Sequence, residues 1–332
     1  MKDFMIDIMI ICMVQTNGIA KENQFSTVDF MTTADQRSLR YGIWHIPKEK
    51  RKGSAILLSG RSEFMEKYSE TIGELNQKGL DVYSFDWRGQ GLSNRMLSNR
   101  HKGFIDNYNV YLNDLNQFFD KIVKPECIRP LIIIAHSMGG HIALRFLHDH
   151  PDTADMAVLT SPMVDIFRSN LFRQLVKLMA RIAVKTGFSQ AYTLGAGDYA
   201  DGKFNGNQLT SDPVRFMDAV KAIEKNPDLA LGGVTYGWLS ATLASIDILN
   251  QPGYAAEIAT PILMISAGED KIVSIKAQKK ICKRLPNCRF VEIPEARHEI
   301  FKETDAVRSI VWCEFERFTR IKNESGIECI GH

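Results

Sequence analysis

Ser137 stands where a strand pattern turns abruptly into a helical one. Leu131-Ile132-Ile133-Ile134-Ala135 is an unbroken apolar run, His136-Ser137-Met138-Gly139-Gly140 is a short tight segment, and Met138 to His150 reads as a helix stopped by Pro151. A serine at the tip of such a turn holds its hydroxyl clear of the backbone, at the head of the following helix. Free N–H groups and the positive end of the helix dipole then face any negative charge that forms beside it. This is an arrangement for nucleophilic attack on a carbonyl. Alanine occupies position 135, where such turns more often carry glycine; the position asks for a small side chain, and alanine supplies one.

A serine hydroxyl needs a base to take its proton, and the base needs a carboxylate to orient and charge-stabilise it. Asp270 lies in Gly268-Glu269-Asp270-Lys271-Ile272-Val273, the turn after the apolar run Ile262–Ser266. His298 lies in the loop after Arg289–Ile293. The chain order nucleophile, carboxylate, histidine is one of the known orders of a serine triad. Glu269 rivals Asp270, but Asp270 directly precedes the helix-entering Lys-Ile-Val. His136 and His141 flank the serine, yet neither is placed to present Nε2 to it. His45, His101, His148 and His150 read as surface or structural.

The oxyanion of a tetrahedral intermediate needs two donors. The Met138 N–H is one; the Arg61 N–H is the other, in the loop after Ser54–Leu58, where Gly60 allows close approach. For the Arg61 side chain three readings stand open: pairing with Glu63, contact with a substrate phosphate, or solvation alone.

These residues need a frame. Phe25–Thr33 and Arg37–Trp44 read as an edge hairpin, and strands at Ser54–Leu58, Asp81–Phe85, the run before Ser137 and Ala157–Thr160 alternate with helices at Glu66–Lys78, Asn107–Val123 and Met138–His150. Such alternation predicts an α/β fold, a mostly parallel central sheet with helices on both faces. From Val164 to Ala256 the rhythm breaks into helical patterns around a Gly/Asp/Asn-rich middle, and it resumes with strand, helix, strand, helix to about Thr319. The expected organisation is a leader or tail at 1–24, a core at 25–163 and 257–320, a helical cap insertion at 164–256, and a C-terminal tail at 321–332. Within the insertion, Leu171–Val184 carries a broad apolar face. Arg168, Arg173, Lys177 and Arg181 share that segment and suit a solvated face or an anionic membrane surface.

Lys+Arg 41 against Asp+Glu 39 leaves a net charge of +2, which gives no case for a nucleic-acid partner. The six cysteines show no C-x-x-C pair and read as scattered reduced thiols of a cytosolic protein, with peripheral contact at the inner membrane face as a further possibility. A signal peptide over residues 1–20 is the alternative, set against it by Asp3 and by Asp7 abutting the apolar run.

With these residues in hand the chain resembles the serine α/β-hydrolases, and within them the lysophospholipase L2 and monoacylglycerol lipase group. The likeness runs from Phe25 to Thr319. It rests on Ser59-Gly60-Arg61-Ser62-Glu63, Asp86-Trp87-Arg88-Gly89-Gln90-Gly91-Leu92-Ser93, the segment around Ser137, the Asp270 turn and Arg297-His298-Glu299. In the insertion, Asn207-Gln208-Leu209-Thr210-Ser211-Asp212-Pro213-Val214-Arg215-Phe216 and Gly232-Gly233-Val234-Thr235-Tyr236-Gly237-Trp238-Leu239 are similar to the lysophospholipase L2 branch. Ser59 departs from the group, many members of which have the histidine of a His-Gly pair there. The resemblance implies an α/β-hydrolase fold with a helical cap over the site. It also implies a carboxylic ester hydrolase acting through an acyl-enzyme on a small lipid ester, without metal or organic cofactor and without an obligate protein partner. Lysophospholipid is the expected substrate, with monoacylglycerol or a small ester as the alternative and a catalytically silent binding protein as the contrasting class. Gly60, Tyr236 and Trp238 are the expected substrate-pocket residues.

Overall fold

The computed structural model describes residues 26–167, 169–200 and 202–321. The expectations placed on residues 1–24, on Arg168 and on all but Ile321 of the C-terminal tail lie outside them. The eight strands form one sheet. β1 (Ser26–Thr32) and β2 (Ser38–Trp44) make the antiparallel edge hairpin, with Thr32 opposite Ser38. β3 (Gly53–Leu58), β4 (Leu80–Phe85), β5 (Leu131–His136), β6 (Met156–Thr160), β7 (Ile262–Ala267) and β8 (Cys288–Ile293) are the parallel part. The order is β1-β2-β4-β3-β5-β6-β7-β8, and β5 lies at the middle of it.

The central strands are apolar without interruption because both faces are covered. The side-chain alternation of a strand divides them cleanly. Ile56, Leu58, Ile133 and Ala135 face one layer, where α2 (Asn109–Phe118), α3 (Met138–Asp149) and the end of α7 (Ile275–Cys282) pack. Ala55, Leu57, Ile132 and Ile134 face the other, against α1 (Ser69–Gln77) and α8 (Asp305–Thr319). Two helix stretches are shorter than their periodicity predicts. Glu66–Lys78 opens with a 3₁₀ turn over Met65–Tyr68, and Asn107–Val123 ends in a wider turn over Phe119–Val123.

Between β6 and β7 the chain builds α4 (Asn170–Lys185), α5 (Pro213–Lys225) and α6 (Tyr236–Leu249). Capping residues set their starts: Ser169, Asp212 and Thr235 each accept a backbone N–H of the first turn. α6 is apolar nearly all round because it is sandwiched. Trp238, Ala241 and Leu249 pack into the core, and Leu239 and Leu243 meet Val176 and Ala180 of α4.

One expectation is corrected. Cys282 and Cys288 form a disulfide, their Cα atoms 5.4 Å apart, joining the end of α7 to the start of β8. Five residues lie between them, so nothing in their spacing resembles a redox pair; the turn between helix and strand brings them together. Thiol usage therefore no longer argues for a reducing compartment. Cys127 is free.

Candidate active site

The turn at the end of β5 is strained in the way a nucleophile elbow requires. Ser137 has φ 50° and ψ −113°, and the helix starts at the next residue. Its backbone is pinned from three sides: the N–H donates to Thr160 O at 3.0 Å, and its carbonyl accepts from Met163 N at 2.9 Å and His141 N at 3.1 Å. Gly139 is needed because a Cβ there would stand 2.6 Å from the carbonyl oxygens of Leu58 and Ser59. The head of α3 thus lies directly on the end of β3, from which the Gly60–Arg61 loop departs.

Three loops at the carboxyl ends of β5, β7 and β8 bring the predicted residues together. His298 Nε2 lies 2.9 Å from Ser137 Oγ, and His298 Nδ1 lies 2.7 Å from Asp270 Oδ2. The other Asp270 oxygen accepts the N–H groups of Ile272 and Val273 at 2.8 and 3.0 Å. Burial raises the pKa of Asp270, but the His298 hydrogen bond and charge and the two N–H groups outweigh it, and the net shift is downward. A buried carboxylate held ionised against one imidazole nitrogen leaves the other to accept the serine proton. Glu269 is not part of this chain; its N–H donates to Ala296 O.

The neighbouring histidines are accounted for otherwise. His136 Nδ1 meets the Thr160 carbonyl and hydroxyl oxygens at 3.2 Å, and burial brings its pKa down to about 4. His141 bridges Met163 O and Ser245 Oγ, and burial brings it down to about 3. Both are neutral spacers at physiological pH.

The loop after β3 is held by groups far apart in sequence. Trp87 Nε1 donates to Ser59 O at 2.8 Å, and Ser62 N–H donates to Gln90 Oε1 at 2.6 Å. Glu63 accepts the Gly60 N–H and the Tyr68 hydroxyl, and Lys67 Nζ reaches Glu63 at 3.0 Å and Glu299 at 2.5 Å. Gly60 is required here: a Cβ would meet Glu63 Oε2 at 2.8 Å and His136 Cδ2 at 3.0 Å. Glu63–Lys67–Glu299 thus ties the loop bearing Arg61 to the residue following His298. Sequence reasoning did not find this link. The Glu63–Lys67 spacing of four was visible; the third member, 232 residues further on, was not.

The insertion grips the histidine loop directly. Glu299 N–H donates to Leu209 O at 2.8 Å, Thr210 Oγ1 donates to Lys302 O at 2.6 Å, and Arg297 Nη1 donates to Thr210 O at 3.1 Å. The stretch Asn207–Phe216, singled out earlier as branch-like, is the clasp on the His298 loop. Of the two aromatic residues expected near substrate, Trp238 lies against the Arg61 guanidinium, 5.4 Å from its ring centre, and Tyr236 packs on the α4–α6 cluster.

The buried ion cluster gives an expected result. Glu63→Gln destabilises the protein by about 2–4 kcal/mol at pH 7, since it leaves Lys67 buried with one carboxylate in place of two. Burial raises the Glu63 pKa, but the Lys67 ammonium outweighs it and the net shift is below the ordinary value of 4.5. A depressed folded-state pKa contributes stability above the unfolded value, and that contribution is lost as pH falls through the folded one. Urea unfolding of wild type and variant between pH 7 and pH 3 should show the gap closing below about pH 4.5; a gap independent of pH would rule out this charge as its source.

A serine nucleophile in a strand–turn–helix elbow, hydrogen-bonded to a histidine and through it to a carboxylate, on a mostly parallel sheet, defines the α/β-hydrolase class. A model of the Hydrolase_4 family, described as serine aminopeptidase S33, matches residues 49–305, and the chain belongs to that family. It is 33% identical over 266 residues to lysophospholipase L2 of Escherichia coli K12, covering 77% of this chain and 76% of that protein. It is 31% identical over 290 residues to the probable lysophospholipase L2 of Haemophilus influenzae, covering 87% and 91%. A crystal structure of a soluble variant of Saccharomyces cerevisiae monoglyceride lipase shares the fold, with TM-score 0.71 at 19% identity over 90% of this chain and 97% of that one.

Proposed function

We propose that the protein is a serine ester hydrolase that removes the single acyl chain of a lysophospholipid. The observation that carries the reaction class is the hydrogen-bonded series Ser137 Oγ, His298, Asp270, at 2.9 and 2.7 Å. Likeness over most of the chain to two proteins named lysophospholipase L2 supports the substrate class. In this reading Ser137 Oγ attacks the ester carbonyl carbon as its proton passes to His298 Nε2. The oxyanion is held by the N–H groups of Met138 and Arg61. The intermediate collapses, the C–O bond breaks, and His298 returns the proton to the leaving glycerophosphodiester hydroxyl. Water, deprotonated by His298, then attacks the acyl-enzyme; the bond to Ser137 Oγ breaks, His298 returns the proton to Oγ, and the fatty acid is released.

Fatty-acid release from lysophosphatidylethanolamine and monoacylglycerol, measured side by side with Ser137→Ala as control, tests it. Serine-dependent release from the lysophospholipid is expected. Release from monoacylglycerol alone would keep the mechanism and move the substrate to the second reading, which the yeast monoglyceride lipase at 23% sequence identity favours.

We also propose that α4 touches an anionic membrane surface. Among the described residues no helix is long and apolar enough to cross a membrane. Yet Leu171, Phe172, Leu175, Leu178, Met179 and Ile182 are each about half exposed or more along one helix. Immersing half of such a side chain contributes about 1 kcal/mol. Asp247 takes Arg173 and Lys177, leaving Arg181 and Lys185 as the helix's other cations. Substituting Leu175→Asp with Leu178→Asp should cut flotation with phosphatidylglycerol vesicles about tenfold or more while a soluble short-chain ester is still turned over. Equal flotation of the two proteins would remove α4 from membrane contact.

A further inference from the structure

The buried and half-buried arginines of this protein fall into two kinds. Arg40 is paired with Glu66 and Asp86, Arg88 with Asp35 and Asp114, Arg215 with Glu70, Asp212 and Asp305, and Arg308 with Glu70 and Glu74. Each guanidinium there meets carboxylates that balance it. Arg95 and Arg145 have none among the described residues: backbone carbonyls of Gly89, Asp228 and Ala230 surround Arg95, and Arg145 donates to Ser245 Oγ and Asn109 Oδ1.

Arg61 is different. It is half-buried, and among the described residues it meets no carboxylate. Nη1 donates to Ser62 Oγ at 2.9 Å, Nη2 donates to Gly232 O at 2.5 Å, and buried Nε has no partner. Its Cζ lies over the Trp238 ring, 5.4 Å from the ring centre, and Nη2 passes close to Gly103. Glu63, the carboxylate nearest in sequence, is taken by Lys67, Tyr68 and the Gly60 N–H. Burial pulls the guanidinium pKa down to about 10, and the tyrosines Tyr111, Tyr108 and Tyr192 offset only part of that. A charge kept out of water without a counter-ion is costly unless something else supplies the opposite charge.

The position of this charge matters. Arg61 is on the loop that runs over the head of α3, and its side chain leaves that loop toward Gly232 and Trp238 of the insertion. In a lysophospholipid the phosphodiester is separated from the ester carbonyl by the three-carbon glycerol, a span matched to one extended arginine side chain. We infer that the Arg61 guanidinium is the counter-ion for the phosphodiester of the substrate head group. This rests on the lysophospholipid reading above. It makes Arg61 a specificity residue: a neutral monoacylglycerol leaves the guanidinium uncompensated, and a phosphate fills the place a carboxylate holds at Arg40 or Arg88.

Because the Arg61 backbone N–H belongs to the proposed oxyanion site, the readout is a ratio, in which any common loss from a shifted loop cancels. Wild type, Arg61→Met and Arg61→Lys are assayed on lysophosphatidylethanolamine and monoacylglycerol of the same chain length. In Arg61→Met the ratio of kcat/KM, lysophospholipid over monoacylglycerol, is expected to fall about 10- to 100-fold, mostly through KM, and Arg61→Lys to recover part of it. Parallel loss on both substrates in the two variants would overturn the inference and leave the side chain a prop for the loop. A second measurement separates the inference from the reading it rests on: inhibition of p-nitrophenyl butyrate hydrolysis by glycerophosphoethanolamine. Inhibition weakened about tenfold or more in Arg61→Met supports the anion site even if no lysophospholipid is hydrolysed, an outcome that would sink the substrate reading alone. Inhibition equal in wild type and variant overturns the anion site.

Discussion

Ser137→Ala lowers kcat on the lysophospholipid about 10⁵- to 10⁶-fold and leaves the protein folded. The expectation follows from what the substitution leaves in place. Alanine keeps the Cβ, so the backbone at φ 50° and its bonds to Thr160, Met163 and His141 are unchanged. Only the attacking oxygen is lost, and the members of such a triad act as one unit. The strain at the turn gives a companion result. A non-glycine residue in this conformation costs about 1–3 kcal/mol, while glycine in place of another residue costs about 0.5–1 kcal/mol in chain entropy. Ser137→Gly is therefore inactive and about 1 kcal/mol more stable than Ser137→Ala in urea unfolding. A glycine variant less stable than the alanine one would show that the elbow stores no strain.

Asp270→Asn lowers kcat about 10⁴-fold with the geometry nearly intact. The wild-type carboxylate accepts from His298 Nδ1, which leaves Nε2 unprotonated toward Ser137. An amide can turn its NH₂ toward Nδ1 instead, which places the proton on Nε2, and that tautomer cannot take the serine proton. Rate loss with an unchanged KM, measured on a soluble ester, is the expected signature. The acid side follows from the sign of the shift. The Asp270 pKa is depressed in the fold, so its contribution to stability is present above the ordinary value of 3.8 and lost as pH falls through the lower folded value. Asp270→Asn lacks that acid-labile component, so its stability changes less than that of wild type between pH 5 and pH 3. An Asp270→Asn protein with kcat within tenfold of wild type would remove Asp270 from the proton path.

These two effects depend on residues that could be picked out one by one, whereas the surrounding supports could not. The apolar run ending at Ala135, the tight turn at Ser137 and the helical period after it are local patterns, set by which faces of a strand and a helix are buried. So are the turn at Asp270 and the loop at His298, each following an apolar strand. The two faces of the sheet are legible in the same way, Ile133 and Ala135 against Ile132 and Ile134. The helix over Asn107–Val123 is shorter than its pattern because its last turn widens at Phe119.

The amino-acid sequence by itself determined the α/β alternation, the interruption between the strands now numbered β6 and β7, and the order of serine, aspartate and histidine. Short-range periodicity and turn chemistry encode all three. Only the tertiary structure decided which charges meet. Lys67 joins Glu63 to Glu299 across 232 residues, Leu209 and Thr210 clasp the histidine loop from about ninety residues away, and Cys282 finds Cys288 through a turn. Arg61 faces Trp238 and, among the described residues, meets no carboxylate, because Glu63, two residues along, is taken by Lys67. A charged side chain has no period that reveals its partner. Its pairing is settled by where the loops at the ends of neighbouring strands arrive, and that is a property of the packed sheet, not of any one segment.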